Sequence, residues 1–420
     1  MTQPHHAPDP APPAGCPAHE GAAALYGPQF RRNPAEVYRE LRRQYGPVAP
    51  IVLEGDVPGW FVIGYRELRQ VLGNAQLFGR DPRRWNAWDR VPSDWGLLPV
   101  VSYVPLFTEG AEHQRHAQPI GDALTGIDQF ELRSHCEVIA DRLIDGFAGS
   151  GEAELMSQYA HAIPLLALAK ISGLPDSETP DLLRDMNATM DGGRGAMEAQ
   201  GRLLARMQRL LDSKRERPGP DLVSRMLAHP AKLTDEELIQ DIIVVITAGQ
   251  QPTADWIGNT LRLMLTDDRF ALTLSGGRRS AGQALNEVLW EDTPSQNHLG
   301  RWAVRDTQLG GQRIQAGDLI VLGFAAANSD PQVRPDSYAG SVGNHAQMSF
   351  SHGEHQCPYP APELAEVIAK AAVEVLLDRL PDVLLAVPAD ELEWRESVLL
   401  RGLSALPVTF TPAYVTGGAG

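Results

Sequence analysis

Phe350-Ser-His-Gly353-Glu-His355-Gln-Cys357-Pro-Tyr-Pro-Ala-Pro362 decides how the rest of this 420-residue chain is read. It holds one of only three cysteines, the others being Cys16 and Cys136. The run that follows, ELAEVIAKAAVEVLLDRL (363–380), has the apolar spacing of an amphipathic helix. Cys357 therefore stands just ahead of a helix start, where backbone amides and the helix dipole favour an anion. A thiol in that position is expected to have a lowered pKa and to ligate metal more readily. One cysteine thiolate is enough to hold haem iron. A lone cysteine is more often a buried structural residue, so the surroundings must carry the reading.

Working outward, PAEVYRELRRQY (34–45) reads as a helix opened by Pro34. VAPIVL and GWFVIG read as short strands joined by a turn, and helical spacing resumes from Arg66 to Leu72. Residues 80–106, rich in Trp, Pro and Arg, read as a long loop. From Glu112 to about Met264 the pattern is mostly helical. Thr234-Asp-Glu-Glu237 is a capping box opening a long helix that is apolar on nearly every side and so belongs deep in the fold. Gln283–Glu291 is a further helix, and TQLGGQRIQAGDLIVLG has the alternation of a hairpin. The sum is a mainly α protein with a minor β part and no βα alternation of a parallel sheet.

Composition narrows the function. A net charge of −16 disfavours nucleic acid and anionic membranes as partners. Three cysteines make no disulfide framework and fit a reducing, cytoplasmic setting. No apolar run is long enough to cross a bilayer. Residues 1–25 read as a flexible arm rather than a signal peptide, 26–412 as one domain, and 413–420 as a loose tail.

With the helix order around it, Phe350-x-x-Gly353-x-His355-x-Cys357 resembles the haem loop of the cytochrome P-450 superfamily, over about residues 26–412. The resemblance implies a triangular prism with haem b (iron protoporphyrin IX) between the long buried helix and the cysteine helix. It implies Cys357 as the iron ligand and His355, His113 and Arg301 as contacts of the haem propionates. Phe350, Gly353, Ala248 and Gly249 would also border the cofactor, and Gln251, Pro252 and Thr253 occupy the family's oxygen-side positions. It implies a monooxygenase acting on a small organic substrate of the secondary-metabolite type, with electrons from a ferredoxin and ferredoxin reductase. Trp85, Trp88, Trp95 and Tyr103 are candidates either for lining an aromatic pocket or for packing their loop.

Four departures from the family pattern stand beside the match. In CPYPAP, prolines 358, 360 and 362 have no N–H, leaving the amides of Tyr359 and Ala361 as candidate donors to the thiolate. Fewer donors make the sulfur more electron-rich. The expected result is a lower haem potential than in a relative with Gly at the second position after the cysteine. Equal potentials in matched substrate-free samples would count against it. In the long helix, Gln251 and Pro252 replace the family's acid and alcohol, which are tied to proton delivery, and Pro252 is expected to bend the helix. Glu287-Val-Leu-Trp290 replaces Glu-x-x-Arg, with Ser337 where the family's second arginine stands, as in an atypical actinobacterial subgroup. Trp290 or Arg305 is then the expected partner of Glu287. Ala117 replaces a propionate arginine four residues after His113, with Arg115 as a possible substitute. These losses keep open oxidative coupling or peroxide-driven chemistry, and a haem-binding partner protein without turnover.

Overall fold

The structure, a computed structural model, describes residues 22–101, 107–191, 196–267, 270, 281–334 and 344–413. The organising element is the helix Asp235–Thr266. Its capping box forms as read: the Thr234 hydroxyl accepts from the Glu237 N–H, and the Glu237 carboxylate accepts from the Thr234 N–H at 2.7 Å. The helix is buried on most sides because it packs against helices Ala162–Ser172, Ala281–Glu291 and Ala361–Arg379. It runs unbroken through Pro252. The expected bend does not interrupt it, since one missing N–H is a small loss against packing along a 32-residue helix.

The β part is divided among separate small sheets. Strands β1 (Ala23–Ala24), β2 (Val48–Leu53), β3 (Val57–Val62) and β4 (Phe78–Gly79) come early; β5 (Glu152–Glu154) follows. The later strands are β6 (Asn297–Ala303), β7 (Thr307–Leu309), β8 (Gln312–Ile314), β9 (Leu319–Gly323), β10 (Leu384–Leu385) and β11 (Pro407–Thr409). Six of them form a mixed sheet in the order β1-β2-β3-β9-β6-β4. β3 meets β9 in parallel with Trp60 against Ile320; of the hairpin expected over 307–323, β7 and β8 pair with each other, whereas Leu319–Gly323 joins the six-stranded sheet. Residues 23–25, assigned to the flexible arm from sequence, belong to the fold instead. Ala23 and Ala24 pair with Ile51 and Val52, and Leu25 is fully buried.

β6 carries an irregularity between His298 and Arg301 where it pairs with β9. Such a bulge re-aims side chains, and both residues at its ends matter to the site below. The 80–106 loop contains short helical turns at Pro82–Arg84, Trp88–Arg90 and Leu98–Val101. Its tryptophans do not line the main cavity. Trp85 packs against Trp88, Trp95 and Trp302 with ring centroids 5.0, 5.8 and 6.0 Å away, so they form part of the core beside the sheet. Tyr103 lies outside the described residues, as does Ser337.

Neither expected partner of Glu287 is its partner. Glu287 is buried and pairs with Arg334, which also meets Glu291 at 3.0 Å and lies over the Trp290 ring at 5.9 Å. The Trp290 indole N–H donates to the Asn344 carbonyl at 3.0 Å, and Arg305 is exposed at the end of β6. The arginine that the helix lacks at the i+3 position is supplied by a different segment.

Candidate active site

Cys357 lies four residues ahead of the helix Ala361–Arg379, and its N–H donates to the Phe350 carbonyl at 3.0 Å, closing the loop on itself. The Phe350 ring meets Trp256 of the long helix edge-on, with centroids 5.8 Å apart, which joins the loop to that helix. Gly353 makes the turn possible. Its φ is 79°, and a Cβ there would sit 2.4 Å from the Leu72 carbonyl oxygen. Gly353→Ala is expected to cost about 1–3 kcal/mol in backbone strain alone and to displace the loop. A reduced haem-to-protein ratio after reconstitution would register it.

The thiol does not have the lowered pKa expected from its place before a helix. Burial, and then the nearby Glu363 carboxylate, push it up to about 12. Desolvation disfavours the thiolate, and a bound metal would be needed to hold it in that form. Of the two amides expected to serve the sulfur, Ala361 N–H is engaged by the Pro358 carbonyl at 2.7 Å. That leaves Tyr359.

Cys357 opens onto a cavity of ≈ 1070 Å³. Phe350, Gly353, His355 and Cys357 line it from the loop, Ala248, Gly249, Gln251, Pro252 and Thr253 from the long helix, and His113 from the helix Gly110–Thr125. All these sequence-predicted residues are therefore brought together. The volume is at the top of the roughly 300–1,000 Å³ range of ligand pockets, and the lining is mainly apolar.

One border of the cavity is different. The rings of His113 and His355 stack with centroids 4.1 Å apart, and neither Nδ1 has a hydrogen-bond partner. Burial, followed by the charges of Arg301, Arg80 and His113, holds His355 down to about 2. Burial also lowers His113, and takes His298 down to about 3. Arg301 is 1% exposed, with Nε and one terminal nitrogen unpartnered, and burial lowers it to about 10. It sits just behind the lining; the arginine on the wall is Arg80, itself buried and lowered well below the usual arginine value by burial and by Arg301. Arg115, the expected substitute for a residue at 117, turns away to pair with Glu237.

Beyond burial, the Arg80 and Arg301 charges lower the three histidines and Arg301 lowers Arg80, and gathering buried cationic groups in one place is costly. Two carboxylates at this border would relieve them. A single thiol, an apolar cavity and a cationic border thus fit an iron porphyrin with its two acidic side chains. Arg80 and His298 were not recognised in the sequence. The signal was slight: Arg80 directly follows the Phe78–Gly79 strand, whose pairing with β6 carries it inward.

No family model matches the chain. Among curated proteins it is 30% identical over 394 residues to cytochrome P450 107B1 of Saccharopolyspora erythraea, covering 90% of this chain and 95% of that one. It is 29% identical over 399 residues to the vitamin D(3) 25-hydroxylase of Pseudonocardia autotrophica, covering 92% and 96%. A solved structure of CYP154C4 from a Streptomyces species superposes with a TM-score of 0.81 at 26% identity, covering 93% of this chain and 98% of that one.

Proposed function

The chain belongs to the cytochrome P450 family, and we propose that it is a haem-thiolate monooxygenase that hydroxylates a small secondary metabolite. The observation that carries the reading is the joint placement of Cys357, of Arg80, His113, His298 and His355, and of Ala248, Gly249, Gln251, Pro252 and Thr253 around one cavity. Haem iron, when bound, supplies dioxygen activation, which a thiolate ligand favours by donating electron density.

The chain's residues have separable roles in this proposal. Cys357 holds the iron of haem b. Arg80, Arg301, His113 and His355 hold the two propionates and so set the orientation of the ring. The apolar lining takes up the substrate and excludes water, which strengthens every electrostatic interaction inside. Electrons come from a ferredoxin and its reductase, and the enzyme works in the cytoplasm. A secondary-metabolite substrate is supported by relatives named a 2-hydroxy-5-methyl-1-naphthoate 7-hydroxylase and a mycinamicin IV hydroxylase/epoxidase. Among the described residues no helix is long and apolar enough to cross a membrane.

Reconstitution with haem, ferredoxin, ferredoxin reductase and a panel of polyketide, terpenoid and aromatic compounds tests the reading. A substrate-dependent change in the haem spectrum with hydroxylated product is expected. A protein that gives the thiolate–carbon monoxide spectrum but converts nothing across the panel would count against it. Gln251 and Pro252 favour a second reading, in which hydrogen peroxide is the working oxidant. Faster turnover with peroxide than with the ferredoxin system would select that one.

A further inference from the structure

Gln251 looks into the cavity, but its side chain is not alone. Its amide nitrogen donates to the Asp255 carboxylate at 3.0 Å, one helical turn further along. Asp255 is fully buried and does not reach the cavity itself. Its other oxygen accepts from Arg395 at 2.7 Å, and the Arg395 side chain is 25% exposed. The three side chains make one continuous hydrogen-bonded line from the cavity wall toward solvent. The backbone has been fitted to it: a Cβ at Gly402 would lie 2.0 Å from the Asp255 carboxylate, so only glycine lets the chain pass there. Arg395 and Gly402 flank the isolated bridge between Trp394 and Leu403, with the Arg395 N–H donating to the Gly402 carbonyl at 2.9 Å.

We propose that Asp255 is the proton-holding group of this site, recovering protons from solvent beside Arg395 and delivering them through Gln251, whose amide turns so that Oε1 takes the carboxyl proton and Nε2 releases one to the cavity before the imidic form reverts to the amide. The proposal rests on the monooxygenase reading, because that reaction consumes protons. A substrate RH, one dioxygen, two electrons from the one-electron carrier and two protons give ROH and one water. Each proton leaving Asp255 is replaced from bulk water, so the carboxyl returns to its starting state.

The position suits the task. Burial pushes the Asp255 carboxyl up to about 6, against the opposing pull of the Arg395 charge and the Gln251 hydrogen bond. A group poised near the working pH is an effective proton donor. Arg395 is the charged group facing it; His161, on the adjoining helix end, feels the same arginine and is held down to about 4, chiefly by burial. Neutral His161 therefore does not compete for the proton. An ordinary structural ion pair would serve equally well with an asparagine hydrogen-bonded in its place, and the test turns on that difference.

The haem-loaded protein is compared with its Asp255→Asn variant using two oxidants. With the ferredoxin system, turnover is expected to fall about 100-fold, the low end for a lost proton donor, with dioxygen diverted to hydrogen peroxide. Peroxide-driven turnover, RH + H2O2 → ROH + H2O, needs no outside protons and is expected to be largely retained. Adding Gln251→Asp to the variant is expected to restore the ferredoxin-driven rate. Equal loss with both oxidants, or no loss, overturns the proposal. If Asp255→Asn fails to retain haem, Gln251→Leu carries the same comparison with the Asp255–Arg395 pair intact. Infrared titration supplies a readout independent of turnover. A protonated-carboxyl band titrating near pH 6 is expected in the parent, absent in Asp255→Asn, and shifted to higher pH in Arg395→Gln. A band indifferent to both changes also overturns it. Failure of the underlying reading looks different: the parent itself then turns over with neither oxidant.

Discussion

Cys357→Ala is expected to abolish the thiolate–carbon monoxide spectrum and all oxygenase turnover. The cavity presents this thiol and, among the cavity-lining residues, no other. Cys136 is buried in the helical core and Cys16 lies outside the described residues, so neither can take its place. Haem need not be lost altogether, because the nitrogen bases at the border still offer counter-charges to the propionates. What disappears is the electronic signature of sulfur ligation. Retention of that spectrum in the variant would sink the axial-ligand assignment, and with it the proposed function. The stacked pair His113 and His355 provides the contrast: their replacement is expected to weaken haem retention while the haem that remains keeps the thiolate spectrum.

Arg334→Ala is expected to lower stability by about 1.5–3 kcal/mol, the range for losing hydrogen bonds between charged groups, here those to Glu287 and Glu291. Glu287 is 4% exposed, and the Arg334 guanidinium is its ion-pair partner as well as a cover for Trp290. Denaturant unfolding of the haem-loaded protein measures the loss. Removing both charges at once, as Glu287→Gln with Arg334→Met, is expected to recover most of it, because neither charge of this pair then remains without the other. A single-variant effect within about 0.5 kcal/mol, the range of ordinary surface changes, would show that the pair does not secure this region.

Local features of the site were legible in the sequence because they are enforced locally. The capping box at Thr234, the proline that opens the Pro34–Tyr45 helix and the spacing of Phe350, Gly353, His355 and Cys357 each depend on residues within one or two turns. Partnerships made across the fold were not. Arg334 reaches Glu287 over 47 positions, and Arg395 reaches Asp255 over 140. Nothing in the spacing of either pair marks it. The tryptophans of the 80–106 loop left two readings open in sequence, lining a pocket or packing the loop, and Trp302 of β6, which meets Trp85 in the core, decides for packing. The cysteine's pKa was misjudged for a related reason. A helix start can be seen in sequence, but the desolvation that raises the pKa depends on what packs around the thiol.

The pairing of β3 with β9 also imposes a schedule on biosynthesis. Trp60 and Ile320 are 320 − 60 = 260 residues apart. At ribosomal rates of about 5–20 residues per second, β3 waits roughly 13–50 s for its partner. The loop bearing Cys357 emerges later still. During that interval the β2–β3 ribbon has an open edge of backbone donors and acceptors, the kind of surface that recruits stray strands. Haem capture at Cys357 must therefore come after both β3 and β9 have been made, and a nascent chain stalled before β9 is the species most in need of a chaperone.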